Sequence, residues 1–148
     1  MIVKENYPIE NSLKLKSEAR YFIELTEGTD FNELSLFLKK NELPILILGE
    51  GTNLVPPLFF NGIILKPLFP SIKVSLDKTL VSAGSSVNWH YFVTFCIENN
   101  INGFENLSLI PGSVGASPIQ NIGAYGADVS SLIAVSYTHL TLPTMVQV

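Results

Sequence analysis

The feature that most constrains this chain is a glycine-dense stretch in its second half. Between Ile101 and Gly126, five glycines and two prolines interrupt an otherwise apolar sequence. Glycine loses more backbone entropy on ordering than any other residue, so it marks places where the chain needs an unusual φ or a close approach. We therefore predict that this stretch brings its backbone close to a ligand. The alternative is a glycine-rich loop that only crosses a sheet.

The overall composition is that of a folded protein. Apolar residues make up 47% of the 148 residues and charged residues 15%, with a formal net charge of −4. This apolar fraction argues against disorder. No apolar run approaches the ~18–20 residues of a membrane span. The acidic balance also argues against a nucleic-acid partner. We expect a cytoplasmic protein that binds neither membrane nor nucleic acid.

The small numbers of cysteine, histidine and arginine limit the kinds of disulfide, metal site and anion site that the chain can form. Cys96 is the single cysteine, which excludes an intrachain disulfide, and two isolated histidines do not make a zinc site. Arg20 is the only arginine, and no lysine or arginine follows Lys78. A phosphate-bearing ligand held by the second half would therefore depend on backbone N–H groups.

The first half has the pattern of a β-α-β unit. The segment up to Ala19 is polar and is expected to lie over the surface, whereas Tyr21 to Leu25 reads as a strand. Asp30 and Glu33 have the spacing of a capping box before an amphipathic helix that ends near Asn41. Pro44 to Leu48 (PILIL) predicts a buried strand. The unit is about 30 residues long, which fits a parallel crossover.

The next part of the chain predicts short strands and one longer helix. The strands are expected at Gly62–Lys66, Ile72–Leu76 and Thr79–Ser82, the last two joined in a hairpin through Asp77-Lys78. Ser85 or Ser86 is expected to cap a helix that runs to about Asn99. The apolar surface of that helix is expected to come from Val87, Tyr91 and Phe95, with Trp89 and Phe92 as further candidates.

The turn Gly49-Glu50-Gly51-Thr52-Asn53 follows the PILIL strand directly. It is not a dinucleotide fingerprint, because Leu54 stands where G-x-G-x-x-G needs its third glycine, and the chain has no Gly-Lys-Ser/Thr of a phosphate-binding P-loop. What remains is a small-residue turn whose N–H groups, with Thr52 and Asn53, can face phosphate or ribose oxygens. A tight turn without a ligand is the alternative.

The second segment, Pro111–Gly126, is richer in small residues. Residues 112, 113, 115, 116 and 117 are glycine, serine or alanine, and their consecutive N–H groups are expected to form an anion-binding nest. Gln120 and Asn121 carry amides that can hydrogen-bond a heteroaromatic cofactor. We expect Gly115 in particular to leave space for the ligand.

Two motifs together resemble a known family. Glu105 to Gly126, with Ile47 to Asn53, resembles the family of UDP-N-acetylenolpyruvoylglucosamine reductases, also called UDP-N-acetylmuramate dehydrogenases, the flavoenzymes of bacterial peptidoglycan synthesis. Asn11-Ser12, Ala19–Phe22 and Gly84–His90 are similar to further features of the family. The resemblance covers roughly residues 6 to 134.

The resemblance implies a fold and a cofactor site. The fold is α+β, a two-lobed FAD-binding domain of the vanillyl-alcohol-oxidase (PCMH) type, here truncated, with lobe 1 over 1–68 and an incomplete lobe 2 over 69–134. Residues 135–148 are similar to a translated sequencing adapter and are expected to be a non-native tail. Tyr125 is expected on the substrate side. The FAD-lining residues carried over from the family are Gly49, Glu50, Gly51, Thr52, Asn53, Ile110, Pro111, Gly112, Val114, Gly115, Ala116, Ser117, Gln120, Ile122 and Gly123.

The resemblance also implies a reaction and its limits. Family members pass hydride from NADPH to FAD and then to the enolpyruvyl group of a UDP-sugar. The catalytic Arg, Ser and Glu of the family are expected after Gly126, but only 148 − 126 = 22 residues follow, and none is Arg or Glu. We therefore expect no catalytic residue in this chain and no activity from it alone. The alternatives are a non-catalytic FAD- or nucleotide-binding module, or a chain that binds nothing stably.

The remaining chemical side chains have structural interpretations. His90 is expected on the surface of a helix or between lobes rather than as a base. Cys96 is expected to be a small core residue. His139 falls in the predicted tail and has no expected role.

Overall fold

A computed structural model describes residues 1–136 and 145–147 of the chain. The chain divides into two compact units, Met1–Leu68 (unit 1) and Phe69–Val148 (unit 2). Both units combine helices and strands, so the predicted α+β class is confirmed.

Unit 1 is built on a four-stranded sheet. Its strands are β1 (Val3–Pro8), β2 (Glu18–Leu25), β3 (Ile45–Ile47) and β4 (Phe59–Pro67), and their order in the sheet is β1-β2-β4-β3. β1 is antiparallel to β2, whereas β2, β4 and β3 run parallel. The carboxyl ends of these three parallel strands therefore lie at the same edge of the sheet. β4 occupies the centre, where Ile63, Ile64 and Leu65 are completely buried.

The predicted crossover helix of unit 1 is present. Helix α1 spans Phe31–Asn41, and the Asp30 carboxylate accepts hydrogen bonds from two backbone N–H groups of its first turn. Only half of the capping box forms, because the Glu33 carboxylate accepts from the Met1 amino group at 2.8 Å instead. Leu34 is buried, as its place in the apolar stripe predicts.

The opening segment forms a strand that the sequence analysis did not predict, and none of its residues from Val3 to Pro8 is buried, as expected of a surface segment. β1 pairs with β2 from Val3 opposite Ile23 to Pro8 opposite Glu18. An antiparallel edge strand keeps part of its surface in water, so it tolerates polar residues. The polar composition of this segment is the reason that the sequence analysis did not predict a strand here. The Tyr7 ring lies 4.6 Å from that of Phe22 between ring centroids.

The PILIL strand is less buried than its composition predicts. β3 is the edge strand beside β4, and Ile45 and Ile47 are 45% and 53% exposed. A continuous apolar run is typical of a strand covered on both faces. Here the run lies at the edge of the sheet, and only its last residue, Leu48, is buried.

Unit 2 contains a second four-stranded sheet and a small hairpin. The sheet strands are β5 (Ile72–Val74), β6 (Val81–Gly84), β9 (Val135–Ser136) and β10 (Met145–Gln147), in the order β5-β6-β10-β9. The hairpin strands are β7 (Gly123–Ala124) and β8 (Ala127–Asp128). β5 and β6 form the predicted antiparallel hairpin, with Lys78 at φ +56° in its turn.

Helix α2 carries the core of unit 2. It spans Trp89–Glu98 and is capped by Asn88, whose side chain accepts from the Tyr91 N–H at 3.0 Å. The prediction of Ser85 or Ser86 as the cap is wrong, because both precede the helix by more than one residue. Tyr91 is 61% exposed, which corrects its place in the apolar surface. The buried face consists of Trp89, Phe92, Val93 and Cys96.

An aromatic cluster fixes the segment that follows α2. The rings of Trp89, Phe92 and Phe104 lie 5.2 to 6.3 Å apart between centroids. The Trp89 indole N–H donates to the Leu107 carbonyl at 2.7 Å, and its backbone N–H donates to the Gly112 carbonyl at 2.9 Å. This anchoring sets the path of the chain into the glycine-rich segment.

Part of the predicted tail, residues 137–144 and 148, lies outside the described residues, as does His139. Its described parts, β9 and β10, belong to the sheet of unit 2. Within residues 1–136 and 145–147, no helix has both the length and the apolar character needed to cross a membrane.

Candidate functional site

The turn at Gly49–Asn53 follows the carboxyl end of β3 in unit 1. The N–H groups of Gly51, Thr52 and Asn53 donate to no acceptor among the described residues. Successive N–H groups without partners are the element of an anion-binding nest. The turn therefore has the donors that the sequence predicts for it.

A neighbouring loop of unit 1 holds this turn from outside. The Ser12 N–H donates to the Gly51 carbonyl at 3.0 Å, and the Ser12 hydroxyl to the Thr52 carbonyl at 3.3 Å. Gly51 has φ +67°, and a Cβ placed on it would lie 2.4 Å from the Glu10 carbonyl oxygen. The glycine at 51 is thus required by packing against this loop. Its conformation keeps the turn's carbonyls engaged and its N–H groups unpaired.

Lys66 is a residue of this turn's surroundings that sequence reasoning missed. Its half-buried side chain comes from the end of β4, and its ammonium group donates to the Gly49 carbonyl. Lys66 and Gly49 are 17 residues apart, so no local motif connects them. The signal that could have found it is the parallel pairing of the two predicted strands.

The glycine-rich loop of unit 2 uses most of its N–H groups internally. Gly115 donates to the Ser85 carbonyl at 3.0 Å, and Ala116 and Ser117 both donate to the Ser113 carbonyl. Val114 donates to the Val87 carbonyl. The predicted nest over this run is therefore wrong, because the N–H groups of 114–117 are already paired. Those of Gly112 and Ser113 have no acceptor among the described residues.

Gly115 also has a different role from the predicted one. A Cβ on Gly115 would lie 2.5 Å from the Ser85 Cβ and 3.0 Å from the Ser85 carbonyl oxygen. The missing side chain therefore lets the loop pack on the end of β6, rather than leaving room for a ligand. Beneath this contact, the buried Ser85 hydroxyl has no hydrogen-bond partner among the described residues.

A shallow depression on unit 2 collects six of the predicted ligand-lining residues. They share it with Trp89 and Ser113, which are not among the FAD-lining residues that the resemblance implies. The predicted members are Pro111, Gly112, Ala116, Ser117, Gln120 and Ile122. Pro111 and Gln120 are exposed at its rim, whereas Trp89, Ser113 and Ser117 are buried beneath it.

Most of the other predicted residues of unit 2 lie outside the depression, and one residue inside it, Ser117, has its hydroxyl already paired. Val114 is completely buried in the core, and Ile110 packs against that core. Ser117 lines the depression, but its hydroxyl donates to the Val114 carbonyl at 2.8 Å. Gly123 belongs to β7. Tyr125 is 91% exposed at the tip of the β7–β8 hairpin, with φ +53°.

The titratable side chains outside these two places have structural roles. His90 is exposed, and its Nδ1 accepts from the Leu109 N–H at 3.3 Å. Burial raises the pKa of the Cys96 thiol to about 12, so the thiol is inert at neutral pH. Hydrogen bonds from Ser130 and from neighbouring N–H groups lower the pKa of the Asp128 carboxyl. No group of three His, Cys, Asp or Glu residues suited to a metal occurs in the described part of the chain.

Comparison with protein families gives one match. The FAD binding domain family matches residues 19–144. The matched range begins in β2 and includes both the Gly49–Asn53 turn and the glycine-rich loop.

Curated relatives carry a common name. UDP-N-acetylenolpyruvoylglucosamine reductase of Bordetella pertussis is 40% identical over 123 residues, which is 81% of this chain and 35% of that protein. The protein of the same name from Burkholderia cenocepacia is 39% identical over 132 residues, 84% of this chain and 38% of its own length. That of Pseudomonas fluorescens is 34% identical over 127 residues, with the same coverage. The predicted resemblance is confirmed, and the chain spans little more than a third of these relatives.

Proposed function

Because this chain belongs to the FAD binding domain family, we propose that it is the FAD-binding part of a UDP-N-acetylenolpyruvoylglucosamine reductase. The fold that we propose is the two-lobed PCMH type, with units 1 and 2 as its lobes. The site of action that we propose is the bacterial cytoplasm. Reduction of the enolpyruvyl UDP-sugar is proposed for the whole reductase, of which this chain corresponds to about a third.

The observation that carries the proposal is the set of unpaired N–H groups in the Gly49–Asn53 turn. FAD is an anionic ligand through its pyrophosphate, and N–H groups of a turn bind such a group without a cationic side chain. Gly51, Thr52 and Asn53 offer three consecutive donors. The residues present therefore fit a flavin nucleotide.

The depression on unit 2 offers a surface of the kind that contacts the uncharged part of a flavin nucleotide. Its accessible part combines Pro111 and Ala116 with the Gln120 amide. Apolar contact area with a few polar groups is the usual composition of a cofactor site. The free Gly112 and Ser113 N–H groups, the Gln120 amide and the exposed Asn121 amide are the donors that we assign to the flavin ring or its ribityl chain.

The chain's own residues bind and orient in this proposal, and they do not transfer protons. When bound, FAD supplies hydride transfer between NADPH and the enolpyruvyl double bond. In unit 1, Thr52 and Asn53 are the residues that we assign to phosphate or ribose oxygens. In unit 2, Ala116 and Gln120 border the depression. Tyr125, fully accessible on its hairpin, is the residue that we assign to the substrate side.

Titration of the 148-residue chain with FAD tests this function. Binding is followed by flavin fluorescence and by the visible absorbance band. We expect saturable one-to-one binding, and we expect Ala116→Met to weaken it roughly tenfold or more by filling the depression. Ile119→Met is the matched control, because Ile119 lies in the short helix Ser117–Gln120 that directly follows Ala116, is 78% exposed and does not line the depression.

The outcomes separate the proposed function from its alternatives. Wild-type chain that shows neither fluorescence change nor yellow colour after FAD addition overturns the proposal. Equal losses in Ala116→Met and Ile119→Met would remove the depression from the site. FAD binding by this chain, together with no reductase activity in the full-length protein, would favour the non-catalytic binding module.

A further inference from the structure

Lys66 brings a positive charge to the turn that we assign to the nucleotide. We propose that the Lys66 ammonium group binds a phosphate of the ligand held by the Gly49–Asn53 turn. This inference rests on the proposed function, and it adds a charged recognition residue that the two glycine motifs do not contain.

The pairing of β3 with β4 explains why this residue reaches the turn. Ile47 is the register partner of Leu65, and the Leu48 N–H donates to the Leu65 carbonyl at 2.9 Å. Lys66 is the next residue, and it therefore lies at the carboxyl edge of the parallel strands. Ligands of open parallel sheets bind outside this edge.

The contact with Gly49 aims the ammonium group at the turn. An ammonium group has three N–H donors and no acceptor. One donor goes to the Gly49 carbonyl, which leaves two for a ligand. The side chain is half-buried, so its charge is less well solvated than that of a surface lysine, and an anion bound beside it would restore the lost interaction.

The N–H groups of the turn supply only partial positive charges, because backbone dipoles carry no formal charge. The Lys66 ammonium adds a full positive charge beside them, which attracts a phosphate more strongly than the dipoles alone.

A purely structural role for Lys66 is the competing explanation. In that case the ammonium would only fix the Gly49 carbonyl and the shape of the turn. Glutamine separates the two roles, because its amide N–H can still donate to a carbonyl but carries no charge. Arginine keeps the charge and changes the shape.

The experiment compares three probes on wild type, Lys66→Gln and Lys66→Arg. The probes are FAD, neutral riboflavin and inorganic pyrophosphate, each measured by calorimetric titration at several salt concentrations. We expect Lys66→Gln to weaken FAD and pyrophosphate binding about 10- to 100-fold, as for loss of a hydrogen bond to a charged group. Riboflavin affinity should stay the same, and Lys66→Arg should recover most of the loss. The control is Lys73→Gln on β5, an exposed lysine of unit 2.

Each result decides the question. Unchanged FAD affinity in Lys66→Gln, or equal losses for FAD and riboflavin, overturns the inference. Wild type that binds pyrophosphate in a Lys66-dependent way but not FAD keeps the inference and overturns the proposed function, whereas wild type that binds neither overturns both. If Lys66→Gln fails to fold, the salt dependence of pyrophosphate binding decides, since Lys66→Arg should match the wild-type slope and a salt-independent affinity contradicts the inference.

Discussion

At the scale of single residues, the glycines of this chain serve the protein before they serve a ligand. Gly51 packs against the Glu10 carbonyl, and Gly115 against Ser85. Gly115 was predicted from sequence as a place of close approach, and the close approach is real. Its partner is another part of the same unit, which glycine content alone does not reveal.

Three glycine-to-alanine substitutions separate the destabilisation caused by a steric clash of the new Cβ from that caused by a positive φ. Gly51→Ala combines a positive φ with a Cβ placed 2.4 Å from a backbone oxygen, whereas Gly126→Ala has a positive φ and open space. Gly28→Ala has neither problem, with its nearest contact at 3.9 Å. We expect destabilisation of about 1 kcal/mol for Gly126→Ala, clearly more for Gly51→Ala and almost none for Gly28→Ala. Urea denaturation measures the series, and equal effects at 51 and 126 would contradict the clash.

Sequence reasoning at this scale located the two loops but not their charges. The Gly49–Asn53 turn and four depression residues, Gly112, Ala116, Ser117 and Gln120, were singled out from small side chains and amides, whereas Pro111 and Ile122 came from the family resemblance. Lys66 was missed because it belongs to a different strand, and its contact exists only through sheet pairing. The predicted nest of unit 2 failed since hydrogen bonds to Ser85, Val87 and Ser113 use its donors.

At the scale of elements, local signals succeeded where one residue type decides the geometry. The Asp30 cap of α1 was predicted correctly because its carboxylate lies at the right spacing before an apolar stripe. For α2 the sequence analysis named only the two serines, whereas the cap is Asn88, directly before the first helical residue. β1 was missed because an edge strand needs little apolar surface.

The capping assignment of α2 is testable by alanine substitution. Asn88→Ala removes the acceptor of the Tyr91 N–H, and we expect it to lower the free energy of unfolding by about 1 kcal/mol. Ser86→Ala, at the cap predicted from sequence, should change stability by much less. Thermal denaturation followed by circular dichroism at 222 nm measures both variants. A larger loss for Ser86→Ala than for Asn88→Ala would show that the assigned cap is wrong.

At the scale of the whole molecule, the two motifs that suggested a family fall in separate units. The turn belongs to Met1–Leu68 and the glycine-rich loop to Phe69–Val148. Each unit has its own buried cluster, one around Phe22 and Ile64 and the other around Trp89 and Phe92. The two motifs carried the family resemblance. The sheet orders could not be predicted from periodicity, because they depend on pairing between distant segments.

Cys96 reports on unit 2 through its ionisation. Burial raises the pKa of this thiol to about 12, from the model-peptide value of 9.0. Above pH 9.0 the unfolded thiol loses its proton while the folded one keeps it, so stability falls as the pH rises toward 12. We expect a loss of about 1 kcal/mol between pH 8 and pH 10 that is absent from Cys96→Val. Urea denaturation at the two pH values measures it, and identical pH dependence in both proteins would contradict the prediction.

The strand order of unit 1 has a consequence for synthesis on the ribosome. β2 and β3 pair with β4 rather than with each other, yet β4 is translated after both. Until Phe59–Pro67 has left the exit tunnel, the segments of β2 and β3 are outside the ribosome without the strand that pairs with both of them. The turn at Gly49–Asn53 therefore emerges before the strand that carries Lys66, and the edge to which we assign the anion is complete only after β4 has joined the sheet.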